Sequence, residues 1–265
     1  MMSVLGRWLG GAPLYRGAEV EVREKDGVRT LHLGSETIQS AMRLDAPNAL
    51  ELAYTRAMMA FLLFASKPHR ILMIGLGGGS VSKFMYHRLP QVRQTVIEVS
   101  SEVITVARKF FFLPPDDGRL SVELGEGAQY VGRCTSPVDV MLVDAYDGRS
   151  LAEAFKVDSF YHAARAALAR AGVLAMNLWS SDWAFDHNLQ RIERAFSGRC
   201  ICLPAERPGN VIVFAFAEPP RRLQWRELNE TAGTLEQDLG LPFLQYVAGL
   251  KKMNQHDAHG LRMNA

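Results

Sequence analysis

Residues 70–98 constrain the fold of this chain more than any other stretch. An apolar run over Ile71 to Ile74 is followed by four glycines, Gly75, Gly77, Gly78 and Gly79, then a helix opening at Ser80, then a second apolar run closing on Glu98. Strand, glycine turn, helix and strand in that order form a nucleotide-binding half-fold. Glycines at the turn let backbone N–H groups and the helix N-terminus approach a ligand with no Cβ in the way. A carboxylate at the next strand tip can accept hydrogen bonds from both hydroxyls of a ribose. Four glycines in five positions with that acid point to a nucleoside ligand, although they do not say which.

A chain of 265 residues with 48% hydrophobic content can bury the core of one α/β domain with a small appendage. The formal net charge of +2 gives no broad field for nucleic acid, and no Lys/Arg stripe carries interleaved aromatics. Cys134, Cys200 and Cys202 lack metal-site spacing, and the last two share one face of a strand pattern. They read as reduced and structural, which points to the cytoplasm. The longest apolar run, 57–65, is far short of the roughly 20 residues that span a bilayer, so neither membrane anchoring nor export is expected.

In chain order, residues 18–44 alternate apolar and polar in three stretches around a Lys25-Asp26-Gly27 turn, predicting a small antiparallel appendage. Leu50, Ala53, Tyr54, Ala57, Met58, Phe61 and Leu62 recur at helical spacing and predict a helix over 48–64. After Glu98, a serine cap predicts a helix through Phe112, with Arg108 and Lys109 in its last turn. Residues 120–124 read as a third strand and 138–144 as a fourth, whose near-continuous apolar run suits a strand covered on both faces. Helices over 158–170 and 182–196 alternate with strands over 172–178, 199–203 and 210–216, the last pair close enough to form an antiparallel edge. The expected architecture is α/β: a Rossmann-like, seven-stranded, mostly parallel sheet with a small N-terminal β appendage. The expected divisions are 1–47 for the appendage, 48–220 for the nucleoside-binding catalytic domain, and 221–265 for two amphipathic helices (224–239 and 244–253) and a polar tail.

In an open parallel sheet, ligands lie over the carboxyl ends of the strands. Those ends carry Gly75 to Gly79, Glu98, Gly125-Glu126-Gly127, Asp144 with Asp147, and Asn177. Any one carboxylate is ordinarily a solvated loop residue. Convergence of Glu98, Glu126, Asp144 and Asp147 on one rim is more specific. Glu98 and Glu126 account for ribose and adenine, which leaves Asp144 and Asp147 beside whatever reacts. A carboxylate pair there suits an amine, from which one member can remove a proton as nitrogen attacks carbon.

At these residues the sequence resembles the spermidine synthase (polyamine aminopropyltransferase) family, whose fold is the class I S-adenosylmethionine-dependent methyltransferase-like one. The likeness runs from about Leu31 to Ala217, through Ile38-Gln39-Ser40, Tyr54 and Met58, the glycine turn, the strand around Glu98, residues 125–127, residues 143–148 and residues 158–161. It implies that Gln39, Gly75, Gly77, Gly79, Glu98, Val99, Glu126, Gly127 and Asp144 surround the nucleoside donor. It further implies that Asp144 and Asp147 are catalytic, with Asp147 binding the amine and Tyr54 lining its site; Asn177 at its strand end and Arg207, a cation able to pair with a carboxylate on the donor or acceptor, are the further substrate-side candidates. The donor would be S-adenosylmethionine or its decarboxylated form and the acceptor a small-molecule amine, with no metal. The assembly would be a homodimer or homotetramer, and neither nucleic acid nor membrane would take part.

The chain departs from the family pattern at three places. An aspartate that grips the aminopropyl amine in the family turn is here Gly78, the residues after Asp147 are Gly148-Arg149-Ser150, and a tyrosine before proline is replaced by Arg207 before Pro208. The rivals are a methyltransferase on the same fold, a catalytically degenerate nucleoside-binding relative, and an NAD-dependent oxidoreductase. Against the last, Ser80 stands where GxGxxG has its third glycine. Asp182, Trp183 and Asp186 either floor the acceptor pocket or open a helix. His256 and His259 lie in the polar tail with no acidic or thiol partners in sequence, so disorder is expected there rather than metal.

Overall fold

The alternating N-terminal residues pair as a four-stranded antiparallel sheet in the computed structural model, which describes residues 12–146, 150–206, 209–220 and 223–263. Its strands are β1 (Ala12–Arg16), β2 (Val20–Lys25), β3 (Val28–Leu33) and β4 (Ile38–Arg43). Lys25 pairs with Val28 across Asp26 and Gly27, whose φ values of 52° and 73° fit the two-residue hairpin their sequence announces. Three strands are expected from alternation; β1 is the fourth. It carries Pro13 and a register shift before Tyr15, features tolerated on an edge strand that pattern reading passes over. The Tyr15 hydroxyl donates to Glu102 at 2.7 Å and ties this edge to the next layer.

The second sheet has β5 (Arg70–Ile74), β6 (Arg93–Glu98), β7 (Leu120–Leu124), β8 (Val138–Val143), β9 (Leu168–Trp179), β10 (Cys200–Pro204) and β11 (Asn210–Phe216). Their spatial order is β10-β11-β9-β8-β5-β6-β7. Strands β5 to β9 pair in parallel, whereas β11 runs antiparallel to both β9 and β10, as the short 199–216 connection predicts. From β5 the chain moves outward through β6 and β7, then returns to place β8 on the other side of β5. That reversal opens the crevice where α/β sheets bind ligands.

Both faces of the sheet are covered, which explains its continuous apolar runs. Ile71 and Met73 of β5 pack toward α2 (Ser80–Arg88), α3 (Ser101–Phe110), α7 (Trp225–Leu239) and α8 (Phe243–Met253). Leu72 and Ile74 face the opposite cluster, with α4 (Gly127–Gly132), α5 (Asp158–Ala167) and α6 (Phe185–Ala195). The helix expected over 48–64 is shorter: α1 covers Ala53–Met58, and a 3-10 turn, Met59–Leu63, follows, buried on all sides. Helix α5 stops at Ala167 because Leu168 already pairs with Val138, so β9 starts four residues before the expected strand. Gly172 sits in the irregular part of that pairing, where a Cβ would lie 2.8 Å from the Ala169 carbonyl oxygen.

Lys83 of α2 is fully buried and braces the N-terminal sheet against the second one. Its Nζ donates to the Phe111 carbonyl at 2.6 Å and the Pro47 carbonyl at 2.7 Å, and touches Met42 Sδ at 3.1 Å. Burial pulls its ammonium down to about 8. The polar tail is folded back rather than loose, contrary to expectation. Gln224 bridges Gly260, His256 bridges Leu261, and the Trp225 indole N–H donates to the Asp257 carbonyl. Leu261 supplies the apolar anchor that composition alone hides. Among the described residues no helix is long and apolar enough to cross a membrane.

Candidate active site

Backbone geometry at the end of β5 brings the glycine turn against the tip of β8. Gly75 has φ +89°, its N–H donates to the Ile97 carbonyl at 2.9 Å, and a Cβ there would lie 2.1 Å from the carbonyl oxygen of Asp144. Only glycine allows that approach. Gly77 takes φ +53° at the cavity wall. Gly79, at φ +72°, is the N-cap of α2 and points a would-be Cβ at Leu113, so its place is structural and the cavity does not include it.

Glu98 closes β6 with only 8% of its surface exposed. Its Oε2 accepts the Leu76 N–H and its Oε1 the Ser100 N–H, both at 2.9 Å. Burial raises its pKa, and N–H groups of Ser100, Leu76, Val99 and Gly77 oppose that rise. Glu98 lines the larger cavity, so the carboxylate that holds the glycine turn also faces a ligand placed there. Gly127 is buried against Ile74, where a side chain would collide, while Glu126 is exposed at the start of α4: its carbonyl accepts the Tyr130 N–H, and its carboxylate makes no hydrogen bond among the described residues. Val99 is 62% exposed on the rim.

Two cavities meet at Asp144. The larger, about 490 Å³, is lined by Gly75, Gly77, Glu98, Val99, Glu126 and Gly127, together with Gln39 and Asp144. The other, about 340 Å³, is lined by Glu36, Tyr54, Asn177, Trp179 and Asn210, again with Gln39 and Asp144. Gln39 carries a buried Nε2 with no partner, an unspent donor aimed where a ligand would lie.

Asp144 is held from both sides. Tyr54 donates to its Oδ2 at 3.0 Å, with the Gln39 carbonyl 3.1 Å from the same hydroxyl, and Asn177 Nδ2 donates to its Oδ1 at 2.9 Å. Asn177 Oδ1 in turn accepts from Asn210 Nδ2 at 2.9 Å, so a chain of donors ends on the carboxylate. Burial raises the Asp144 pKa, and the Asn177 and Tyr54 hydrogen bonds pull it back. The Tyr54 phenol is pushed well above its usual range, by burial first and then by the Asp144 charge. Tyr146 stacks on Trp179, ring centroids 4.2 Å apart and planes 12° from parallel, and its hydroxyl accepts the Trp179 N–H. Tyr146 lines the larger cavity and Trp179 the smaller, so the stack is part of the wall between them.

Asp147 and Arg207 lie outside the described residues. Asp182 turns the chain into α6 by accepting the Ala184 N–H, and Trp183 is 85% exposed; Trp179 and Ser181, rather than Asp182, Trp183 or Asp186, line the smaller cavity. Sequence reading misses Glu36, Trp179 and Asn210. Asn210 carries the one available signal, a polar amide opening an otherwise apolar strand. Gly78 points its missing side chain away from both cavities: a Cβ would lie 2.7 Å from Ser40 Oγ and 2.9 Å from the Phe111 ring. Among the described residues no group of His, Cys, Asp and Glu could hold a metal. Burial pushes the Cys202 thiol up to about 12 and raises that of Cys200 as well, so neither is poised as a nucleophile.

The family model of the spermine/spermidine synthase domain matches residues 51–214. The polyamine aminopropyltransferase of Chromobacterium violaceum is 42% identical over 240 residues, covering 91% of this chain and 92% of that protein. A probable spermidine synthase from Corynebacterium glutamicum shares the fold, with a TM-score of 0.71 and 19% identity over 94% of this chain and 96% of that one. Human methyltransferase-like protein 13, solved in complex with SAH, aligns with a TM-score of 0.64 and 26% identity over 71% of this chain and 93% of that one.

Proposed function

Since the chain belongs to the spermine/spermidine synthase family, we propose that it transfers an aminopropyl group from decarboxylated S-adenosylmethionine to a free small-molecule amine. The observation that carries this reading is the meeting of two cavities at one half-buried carboxylate, Asp144. In this reading the larger cavity takes the adenosyl donor. Glu98 receives the ribose hydroxyls, Glu126 faces the adenine amino group, and the unspent amide of Gln39 completes the cradle. The donor supplies a sulfonium leaving group next to an electrophilic carbon. Asp144 takes the proton of the attacking amine, Tyr54 and Asn177 fix the direction of its lone pairs, and Asp147 is assigned to bind the amine. Charge favours the decarboxylated donor. Among its described residues the larger cavity is lined by Glu19, Glu98, Glu126 and Asp144, with no Lys, Arg or His, so an ammonium and a sulfonium are matched there and a carboxylate is not. The protein is assigned to the cytoplasm as a homodimer or homotetramer, on the strength of its reduced cysteines and its family.

The Gly78 position favours a second reading. With the turn aspartate absent and its space filled by Ser40 and Phe111, intact S-adenosylmethionine and methyl transfer become the rival. Calorimetry with the two donors separates them. The decarboxylated form is expected to bind about tenfold or more tightly, as one added or lost charge-assisted hydrogen bond implies. Preference for the carboxylated form removes the aminopropyl reading.

The pH dependence has a defined sign. Transfer needs Asp144 ionised, so kcat/KM falls as pH drops through a pKa that burial has raised above the ordinary carboxylate value. Tyr54→Phe deletes a hydrogen bond that favours the charged form. The acid limb of the variant's pH profile is therefore expected at higher pH than that of the wild type, and an unmoved limb would detach Asp144 from the proton step.

A further inference from the structure

We propose that a cavity at the amino-terminal ends of β5, β6 and β7, at the far end of the sheet from Asp144, binds a small phosphate-bearing anion. The cavity has a volume of about 370 Å³ and is lined by Arg70, Arg93, Thr95, Asp117, Tyr130 and Cys134, among others. That is the scale of a small-molecule site.

The register of the sheet sets two arginines side by side at this end. Arg70 opens β5, Arg93 opens β6, and the two are direct partners across the parallel pair. Their side chains therefore leave the same face side by side, an arrangement in which like charges repel. Neither guanidinium makes a hydrogen bond or ion pair among the described residues. Of the nearby acids, Glu123 of β7 lies close to Tyr130 but outside the cavity wall and accepts from the Ser121 hydroxyl at 3.4 Å, and the other two are already committed. Asp117 accepts the N–H groups of Arg119 and Leu120 and the Tyr86 hydroxyl, and Asp139 accepts the backbone N–H groups of His69 and Arg70. A third arginine at the same end, Arg119, is spent on the Tyr86 ring, 4.0 Å from its centroid, and on the Tyr86 carbonyl. Tyr130 adds a hydroxyl beside Thr95 and near Arg70. Two forked donors facing one cavity, with hydroxyls on its wall and no free carboxylate, match the oxygens of a phosphate group. The repulsion between Arg70 and Arg93 disappears when such an anion bridges them. This site is independent of the proposed transfer reaction, so either assignment can fail alone.

The test uses the intact protein at constant ionic strength, titrated calorimetrically with inorganic phosphate and with glycerol 3-phosphate, against chloride as control. Saturable binding is expected, weakened about tenfold or more in Arg70→Gln and in Arg93→Gln, because each variant loses charge-assisted hydrogen bonds. Binding of 5′-methylthioadenosine, a probe of the other end of the sheet, stays unchanged in both variants. Tighter binding of the ester assigns the site to phosphate monoesters, and equal binding assigns it to the free ion. Thermal melting gives a second readout: without phosphate, Arg93→Gln melts at or above the wild-type temperature, and phosphate raises the melting temperature of the wild type alone. Absence of saturable binding, binding indifferent to both arginines, or displacement of phosphate by 5′-methylthioadenosine would each overturn the assignment.

Discussion

Asp144→Asn is expected to lower kcat by about 10²- to 10⁴-fold, the range a positioned general base supplies, while 5′-methylthioadenosine binds as it does to the wild type. The substitution removes the charge and leaves the shape. Its amide nitrogen would meet a donor at Asn177, whose oxygen is already taken by Asn210, but Tyr54 offers a way out. The Tyr54 hydroxyl can turn its proton to the Gln39 carbonyl, 3.1 Å away, and accept from the new amide. The variant should therefore fold. It should also melt no lower than the wild type, because burial disfavours the ionised carboxylate and its loss removes that penalty. Slow turnover, intact nucleoside binding and undiminished stability would together mark a catalytic base. A variant that transfers at the wild-type rate would leave Asp144 as a structural acceptor and move the proton to another group.

The features readable in advance are those in which one residue type has one physical use. Apolar runs at 71–74 and 138–143 must be strands covered on both faces, and they are β5 and β8. Gly75 and Gly77 announce positive φ, and Glu98 and Asp144 mark strand tips because polar residues end apolar strands where solvent or ligand begins. The features that escape reading depend on partners distant in sequence. Strand β1 exists because β2 offers an edge, and the tail after Met253 is ordered by Trp225 and Leu261, which no local pattern links. Asn210 matters only because β11 pairs with β9 and brings its amide to Asn177. Gly78 shows the limit best. In sequence it is a lost aspartate, whereas in space its side-chain direction is occupied by Ser40 of β4 and by Phe111, so the loss is built into the packing of the N-terminal sheet on the turn.

Gly75→Ala is expected to cost more than about 4 kcal/mol of folding stability, a size reached when several defects coincide at one residue. The first defect is conformational: φ +89° is unfavourable for any residue with a Cβ. The second is steric, since that Cβ would lie 2.1 Å from the Asp144 carbonyl oxygen. Backbone cannot give way there. The Asp144 N–H is bonded to the Ile74 carbonyl, and the Gly75 N–H to the Ile97 carbonyl, both at 2.9 Å, so β5 is pinned to β8 on one side and β6 on the other. Gly27→Ala isolates the first defect, because Gly27 has φ +73° and nothing within 4 Å of its would-be Cβ; its cost should be only about 1–2 kcal/mol. Urea unfolding of the two variants measures the difference. If the Gly75 variant loses no more than the Gly27 variant, the turn and the β8 tip are not in the contact described. Any Gly75 variant that still folds must have separated the two strand ends, and it should then lose nucleoside binding and transfer together, since the same approach that forbids a side chain sets Asp144 beside the glycine turn.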